Sequence, residues 1–218
     1  MTSKLPPNAS VAARLEGAKL HAPAAARNLE FLCDLLRAHA PKSGQALEIA
    51  SGTGQHVTDF ATAMPGLMWH PTEVDAARIS SIDAYVQDAG LGNVAPARML
   101  DATQADWHRH AGQKDLIVLI NLLHLIPEQP AKTLVTEAMR ALSPGGSFIL
   151  YGPFKRNGVL TSDGDARFDA DLRAADPAIG YKNDQDLCAW LELAGAHPLK
   201  RIEMPANNLA FVATKPEP

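Results

Sequence analysis

The chain has few of the residues on which small special-purpose folds depend. Only two cysteines, Cys33 and Cys188, occur in 218 residues. They are far apart and each sits in an apolar helical pattern, which predicts buried reduced thiols and excludes a disulfide framework. A zinc site would need neighbouring ligands that they lack, so no metal is expected. No apolar run approaches membrane length, and the opening Met-Thr-Ser-Lys-Leu-Pro-Pro-Asn has no apolar signal core, so the expectation is a cytoplasmic protein without membrane association. Positive charge is scarce as well, with 20 Lys and Arg against 24 Asp and Glu and a net charge of −4. Binding a phosphate backbone takes a concentrated basic surface, and Lys155-Arg156 is too short to supply one, so no nucleic-acid partner is expected. The Gly-Lys-Ser/Thr of a phosphate loop occurs nowhere, and there is no internal repeat.

What is present describes a globular chain. With 46% hydrophobic and 20% charged residues, it suits one domain with a sizeable core. Residues 1–22, polar and proline-punctuated, are predicted to be flexible or loosely docked, and residues 23–218 to form the single domain. From Pro23 to about His39, Leu29, Leu32, Cys33 and Leu36 recur at helical spacing. A strand through Leu47 and Ile49 follows, then a helix from Gln55 carrying Val57, Phe60, Ala61 and Met64. Further strands are predicted at 67–70, 98–100, 115–121 and 148–151, and helices through Ile79–Ala89, Leu134–Leu142 and Leu187–Ala194. The stretch 152–183 is too long for a routine connection and is expected to be a lid or pocket wall. Two last strands, 199–203 and 209–213, are close enough for a hairpin, although Asn207-Asn208 is a weak turn signal. Strands alternating with helices predict an α/β fold with a mostly parallel sheet, its ligand beyond the carboxyl ends of the strands.

The most informative stretch is Ala46-Leu-Glu-Ile-Ala-Ser-Gly-Thr-Gly-Gln-His56. A short apolar strand ends in an acid and a glycine-rich turn, so Gly52 and Gly54 allow a sharp turn and a close approach of backbone to ligand. A nicotinamide fingerprint wants a third small residue at position 57, where this chain has Val57. What remains is acid-x-small-x-Gly-x-Gly with Glu48 as the acid, which resembles the first motif of class I S-adenosylmethionine-dependent methyltransferases. Ala50 departs from that pattern, standing where those enzymes usually have a first glycine. By position, Glu73 after the second strand would accept the ribose hydroxyls, with Asp75 as its rival and helix capping as its ordinary alternative. Asp101, ending the third strand, would accept from an adenine amino group or cap its own loop. Asn121, ending the fourth, would face the methionine part and the methyl, or satisfy its own turn.

Four separated motifs narrow the resemblance. Pro23-Ala-Ala-Ala-Arg-Asn28, Leu47-Glu-Ile-Ala-Ser-Gly-Thr-Gly-Gln-His56, Tyr151-Gly-Pro-Phe-Lys-Arg-Asn-Gly158 and Met204-Pro-Ala-Asn-Asn-Leu209 together resemble the domain-of-unknown-function 938 family over about residues 20–215. The resemblance implies a Rossmann-like class I methyltransferase fold with a mostly parallel seven-stranded sheet, and S-adenosylmethionine as cofactor. It supplies no acceptor. The same motifs suggest cofactor contacts from Arg27, Asn28, Glu48, Ser51, Gly52 and Gly54. They suggest acceptor contacts from His56, Phe154, Lys155, Arg156, Asn207 and Asn208, and a catalytic role for Tyr151; by placement, His56 and His124 are the candidate bases, with His124 favoured as general base. The expected reaction is direct in-line methyl transfer, for which positioning and exclusion of water supply much of the acceleration. With no separate substrate domain, a small-molecule acceptor is favoured over a macromolecule. The alternatives are a non-catalytic S-adenosylmethionine-binding or interaction protein and, less favoured, a nicotinamide oxidoreductase. The oligomeric state is not indicated.

Overall fold

The computed structural model describes residues 5–218; the predicted N-terminal segment therefore has its first four residues outside the described chain. The elements are β1 (Ala13–Arg14), β2 (Leu20–His21), α1 (Pro23–His39), β3 (Gly44–Ile49), α2 (Gln55–Ala63), β4 (Leu67–Glu73), α3 (Ala76–Asp88), β5 (Arg98–Met99), α4 (His108–Ala111), β6 (Lys114–Ile120), a 3-10 turn (Leu123–Leu125), α5 (Glu128–Ala141), β7 (Leu142–Lys155), α6 (Asp163–Ala175), β8 (Lys182–Asn183), α7 (Asp184–Leu193), β9 (Leu199–Glu203) and β10 (Asn208–Thr214). Seven strands lie in the order β5-β4-β3-β6-β7-β10-β9, with β8 beside the end of β7. β5, β4, β3, β6 and β7 are mutually parallel, and β10 runs antiparallel between β7 and β9. The predicted hairpin of the last two strands is present. Its turn puts Ala206 and Asn207 at φ 55° and 59°, the two left-handed positions that match the twist of the flanking strands.

Each strand divides its residues between two cores by simple alternation. Leu47, Ile49, Ile117, Leu119, Phe148, Leu150, Leu209 and Phe211 point to the side covered by α5 and α7. Ala46, Leu116, Val118, Ile149, Tyr151, Ala210 and Val212 point to the side covered by α1 and α2, among Leu32, Leu36, Val57 and Phe60. The continuous apolar run of β6 thus has both faces buried, as a central parallel strand requires. Strand order reverses between β3 and β6, so the loops after these two strands diverge and leave a cleft at the carboxyl edge.

The structure adds detail to three expectations. The second strand runs on to Glu73, which ends the strand instead of lying beyond it. The stretch 152–183, expected to be a lid or pocket wall, has regular structure: it holds the end of β7, the 13-residue helix α6 and β8. Ser162 caps α6 by accepting from the Asp165 N–H. The N-terminal segment, predicted to be flexible or loosely docked, is hooked to the domain at several points from Asn8 onward. Asn8 Nδ2 donates to Asp171 of α6 at 3.0 Å, and Arg78 Nη2 of α3 donates to Ser10 Oγ at 2.5 Å. Lys19 pairs with Asp88, and the backbone N–H groups of Leu20 and Ala22 donate to Ser81 Oγ and Gln55 Oε1. Cys33 is buried as expected, whereas Cys188 is only partly so; neither is in a disulfide.

Candidate functional site: the cleft at the carboxyl edge of the sheet

The turn after β3 is built by three left-handed residues, Ala50 at φ 53°, Gly52 at 61° and Gly54 at 95°. Ala50 adopts the conformation a glycine would take there, at a cost of roughly 1 kcal/mol for its Cβ. Ser51 braces the turn to β4: its N–H donates to Thr72 O, and its hydroxyl donates to Glu48 O and accepts from Thr72 N–H. Its polar groups are therefore spent on the protein. The two glycines have different reasons. A Cβ on Gly54 would lie 2.6 Å from Ile82 Cα, so its smallness serves the packing of α2 against α3. A Cβ on Gly52 would meet nothing nearer than Arg78 Nη1, at 4.0 Å. Its open side is free for a ligand.

Three carboxylates ring this turn. Glu73 is buried; its Oε2 accepts from Gly52 N–H at 3.0 Å and its Oε1 from Val74 N–H at 2.7 Å. Asp75 is the N-cap of α3, accepting from Ala77 and Arg78 N–H, so the capping role considered for Glu73 belongs to its rival. Glu48 is buried with Oε2 unpartnered among the described residues. Burial pushes its carboxyl up to about 8, helped by the nearby Glu73 and opposed by Ser51. Asp101 closes its own loop. Its Oδ1 accepts from Thr103 N–H and Oγ1, and its Oδ2 from Gln104, which leaves little acceptor capacity for an adenine amino group.

At the other side of the cleft Asn121 stands at φ 54°, with its N–H donating to Tyr151 O and its side chain making no hydrogen bond among the described residues. Tyr151 is 4% exposed and faces Asn28 of α1, which also meets His56 Nε2 through Oδ1 at 2.8 Å. His56 is buried and stacked on Phe60, and burial holds it down at about 4 against the opposing Ala25 carbonyl. These three residues form a neutral internal cluster, not the acceptor-facing base expected of His56. Arg27, one residue before Asn28, is exposed and makes no ion pair among the described residues. His124 is packed edge-on against Phe168 and Tyr181 with Nδ1 unpartnered. Burial, with Lys182 nearby, lowers it to about 3. A proton passed to so weak a base is poorly held, so the general-base role is not supported in this conformation.

The acceptor contacts expected from the later motifs are mostly structural. Phe154 is in the core, edge-on to Phe211 with ring centroids 5.1 Å apart. Arg156 pairs with Glu203 and donates to the Asn207 and Asn208 carbonyls, clamping the β9–β10 turn. Asn208 Nδ2 donates to carbonyls within that turn, and Asn207 Nδ2 to Asp165. Lys155 alone is left with no ion pair among the described residues, where β7 pairs with β8. Sequence reasoning missed Arg78, whose guanidinium lies over the glycine turn, and Val74 and Met99, apolar yet 57% and 68% exposed at the ends of β4 and β5. The signal for the last two was faint: a valine and a methionine at strand ends are unremarkable until both are seen uncovered on one lip of the cleft.

Solved structures match this fold. An O-methyltransferase family protein from Burkholderia thailandensis superposes with a TM-score of 0.76 at 14% identity, over 89% of this chain and 58% of that one. A structure of PigF with SAH gives 0.73 at 18% identity over 88% and 56%. The YcgJ protein of Bacillus subtilis gives 0.65 at 14% over 88% of this chain and 100% of its own. The chain thus spans a little over half the length of the first two. The fold is α/β and Rossmann-like, as in these structures. The family model described as a protein of unknown function, DUF938, matches residues 19–215, and the chain belongs to that family.

Proposed function

We propose that the chain binds S-adenosylmethionine at the β3–β6 cleft and transfers its methyl group in line to a small-molecule acceptor. The observation that carries the reading is the orphaned, buried Glu48 Oε2 beneath the glycine turn. A carboxyl kept protonated by burial is a site waiting for a cation, and the α-ammonium of the cofactor fits it. Glu73 would take the ribose hydroxyls, Gly52 the close backbone approach, and Arg27 the cofactor carboxylate through a charge-assisted bond. Val74 and Met99 would flank the adenine. When bound, the cofactor supplies an activated methyl on a sulfonium. The chain's own part is to orient the acceptor from Asn121 and Tyr151 and to exclude water.

One observation favours a second reading. Neither histidine beside the cleft is set to take a proton near neutrality, since His56 and His124 are pushed to about 4 and 3, and Tyr151 is raised by burial. That suits an acceptor whose nucleophile ionises readily, such as a thiol, and equally a binder without turnover. A nicotinamide enzyme is disfavoured because Val57 is fully buried in the core where a small residue would be needed. Calorimetry with S-adenosylmethionine, S-adenosylhomocysteine and NAD tests the reading. Heat with the first two and none with NAD is expected; binding of NAD alone would overturn it.

A further inference from the structure

Residues 8–10 cross the cleft from one wall to the other. Asn8 is tied to Asp171 of α6 and Ser10 to Arg78 of α3, and Arg78 overlies the glycine turn. Between these exposed hooks Ala9 is half-buried. It packs with Leu125, Leu160 and Phe168 onto the buried cluster of Leu172, Ile179 and Tyr181. That cluster lies past the end of β6, on the side of the cleft away from Glu73 and β4. His124 packs edge-on against Phe168 and Tyr181 of this nest, with Nδ1 enclosed and no partner among the described residues. An apolar nest with an orphaned imidazole, roofed by one small residue on a tethered strap, has the makings of a ligand site with a stand-in already in it.

We propose that this nest is the acceptor site, that Ala9 occupies it when no acceptor is bound, and that the acceptor is a small molecule with a flat apolar body carrying one hydroxyl or N–H. This rests on the methyltransferase reading above and names its substrate class. Leu125, Leu160 and Phe168 are half-buried and become the binding surface once Ala9 lifts. A neutral imidazole offers one donor and one acceptor, enough to fix a single polar group at the inner end of the ligand. Ligand and Ala9 compete for the same surface, so occupancy and strap release are linked.

The test uses 1-naphthol and naphthalene with the full chain saturated by S-adenosylhomocysteine, followed by ligand-observed NMR and by hydrogen exchange at Ala9 and Ser10. 1-Naphthol is expected to bind and to speed exchange at these two amides. Phe168→Ala should weaken it about tenfold through lost aromatic contact. Asp171→Ala, which frees the strap without touching the nest, should tighten it by about fivefold, the worth of one released hydrogen bond. His124→Leu, close to imidazole in size but without its nitrogens, should weaken 1-naphthol while leaving naphthalene unchanged. Absence of 1-naphthol binding in the folded Asp171→Ala protein, binding indifferent to Phe168→Ala, or binding with strap exchange unaltered would each overturn the proposal. S-Adenosylhomocysteine titrated into the ligand-free chain, with 1-naphthol then added alone, separates the two ideas. If it fails to bind while 1-naphthol binds and frees the strap, the cofactor reading falls and the nest stands.

Discussion

Glu73 Oε2 accepts the N–H of Gly52 at 3.0 Å, so the carboxylate ending β4 holds the turn that ends β3. Glu73→Ala should raise the dissociation constant for S-adenosylhomocysteine about tenfold or more, since a hydrogen bond to a charged group contributes roughly 1.5–3 kcal/mol. Asp75→Ala should instead lower thermal stability by about 1 kcal/mol, the usual loss for an N-cap, with affinity unchanged. Calorimetry and melting curves on both variants check the pair; the reverse pattern would show that Asp75 is the ligand.

The glycines should part company in the same way. Gly54→Ala forces a Cβ to 2.6 Å from Ile82 Cα at φ 95°, and overpacking of that kind costs about 2 kcal/mol or more. Gly52→Ala meets open space and should lose only about 1 kcal/mol for its φ of 61°. A folded Gly52→Val protein that binds the cofactor with unchanged affinity would remove the turn from the site.

Protonation of Glu48 gives a prediction in pH. Its carboxyl is raised from 4.5 to about 8 in the folded chain. Between those values the folded state holds a proton that the unfolded state has released, so this group makes stability fall as pH rises through the window. Glu48→Gln should flatten that fall. Binding a cationic α-ammonium there should release close to one proton per ligand at pH 7, read as a buffer-dependent heat in calorimetry. A heat independent of buffer would place the ammonium elsewhere.

The two buried histidines act in the opposite sense. His56 and His124 are lowered from 6.5 to about 4 and about 3, so the unfolded chain takes up protons first and stability falls as pH drops below about 6.5. Neither ring should titrate in NMR spectra between pH 5 and 8. His124→Phe should reduce the acid sensitivity seen in melting curves; an unchanged acid limb would mean that His124 is not buried as described.

The sheet was readable from the chain because its strands and helices obey their own periods, and even the β9–β10 hairpin was within reach. Individual site residues were not, for a physical reason. A motif residue looks the same whether it touches ligand or protein: Gly54 is small for Ile82, Arg156 is spent on the turn at Asn207 and Asn208, and Phe154 is packed on Phe211. Only contacts distant in sequence separate those cases. The sequence marked Glu48 as the motif acid, but its burial and its lack of a partner among the described residues emerge only once the helices are folded over the strand. The strap was illegible for the same reason, since Asn8 and Ser10 form no pattern and find their partners 163 and 68 residues away.

Strand β10 is synthesised after β9 yet lies between β9 and β7. Until residues 208–214 have been added, β7 therefore presents an open edge rich in apolar side chains, and β9 has no sheet to join. A nascent chain halted before that point carries a nearly complete nucleotide-type half with an unsatisfied ladder along one side, the kind of edge that recruits other chains. The clamp of Arg156 on the Asn207 and Asn208 carbonyls, spanning 51 and 52 residues, locks the late strand in place. Quality control during synthesis would thus depend on a step that comes after every cleft residue has already been made.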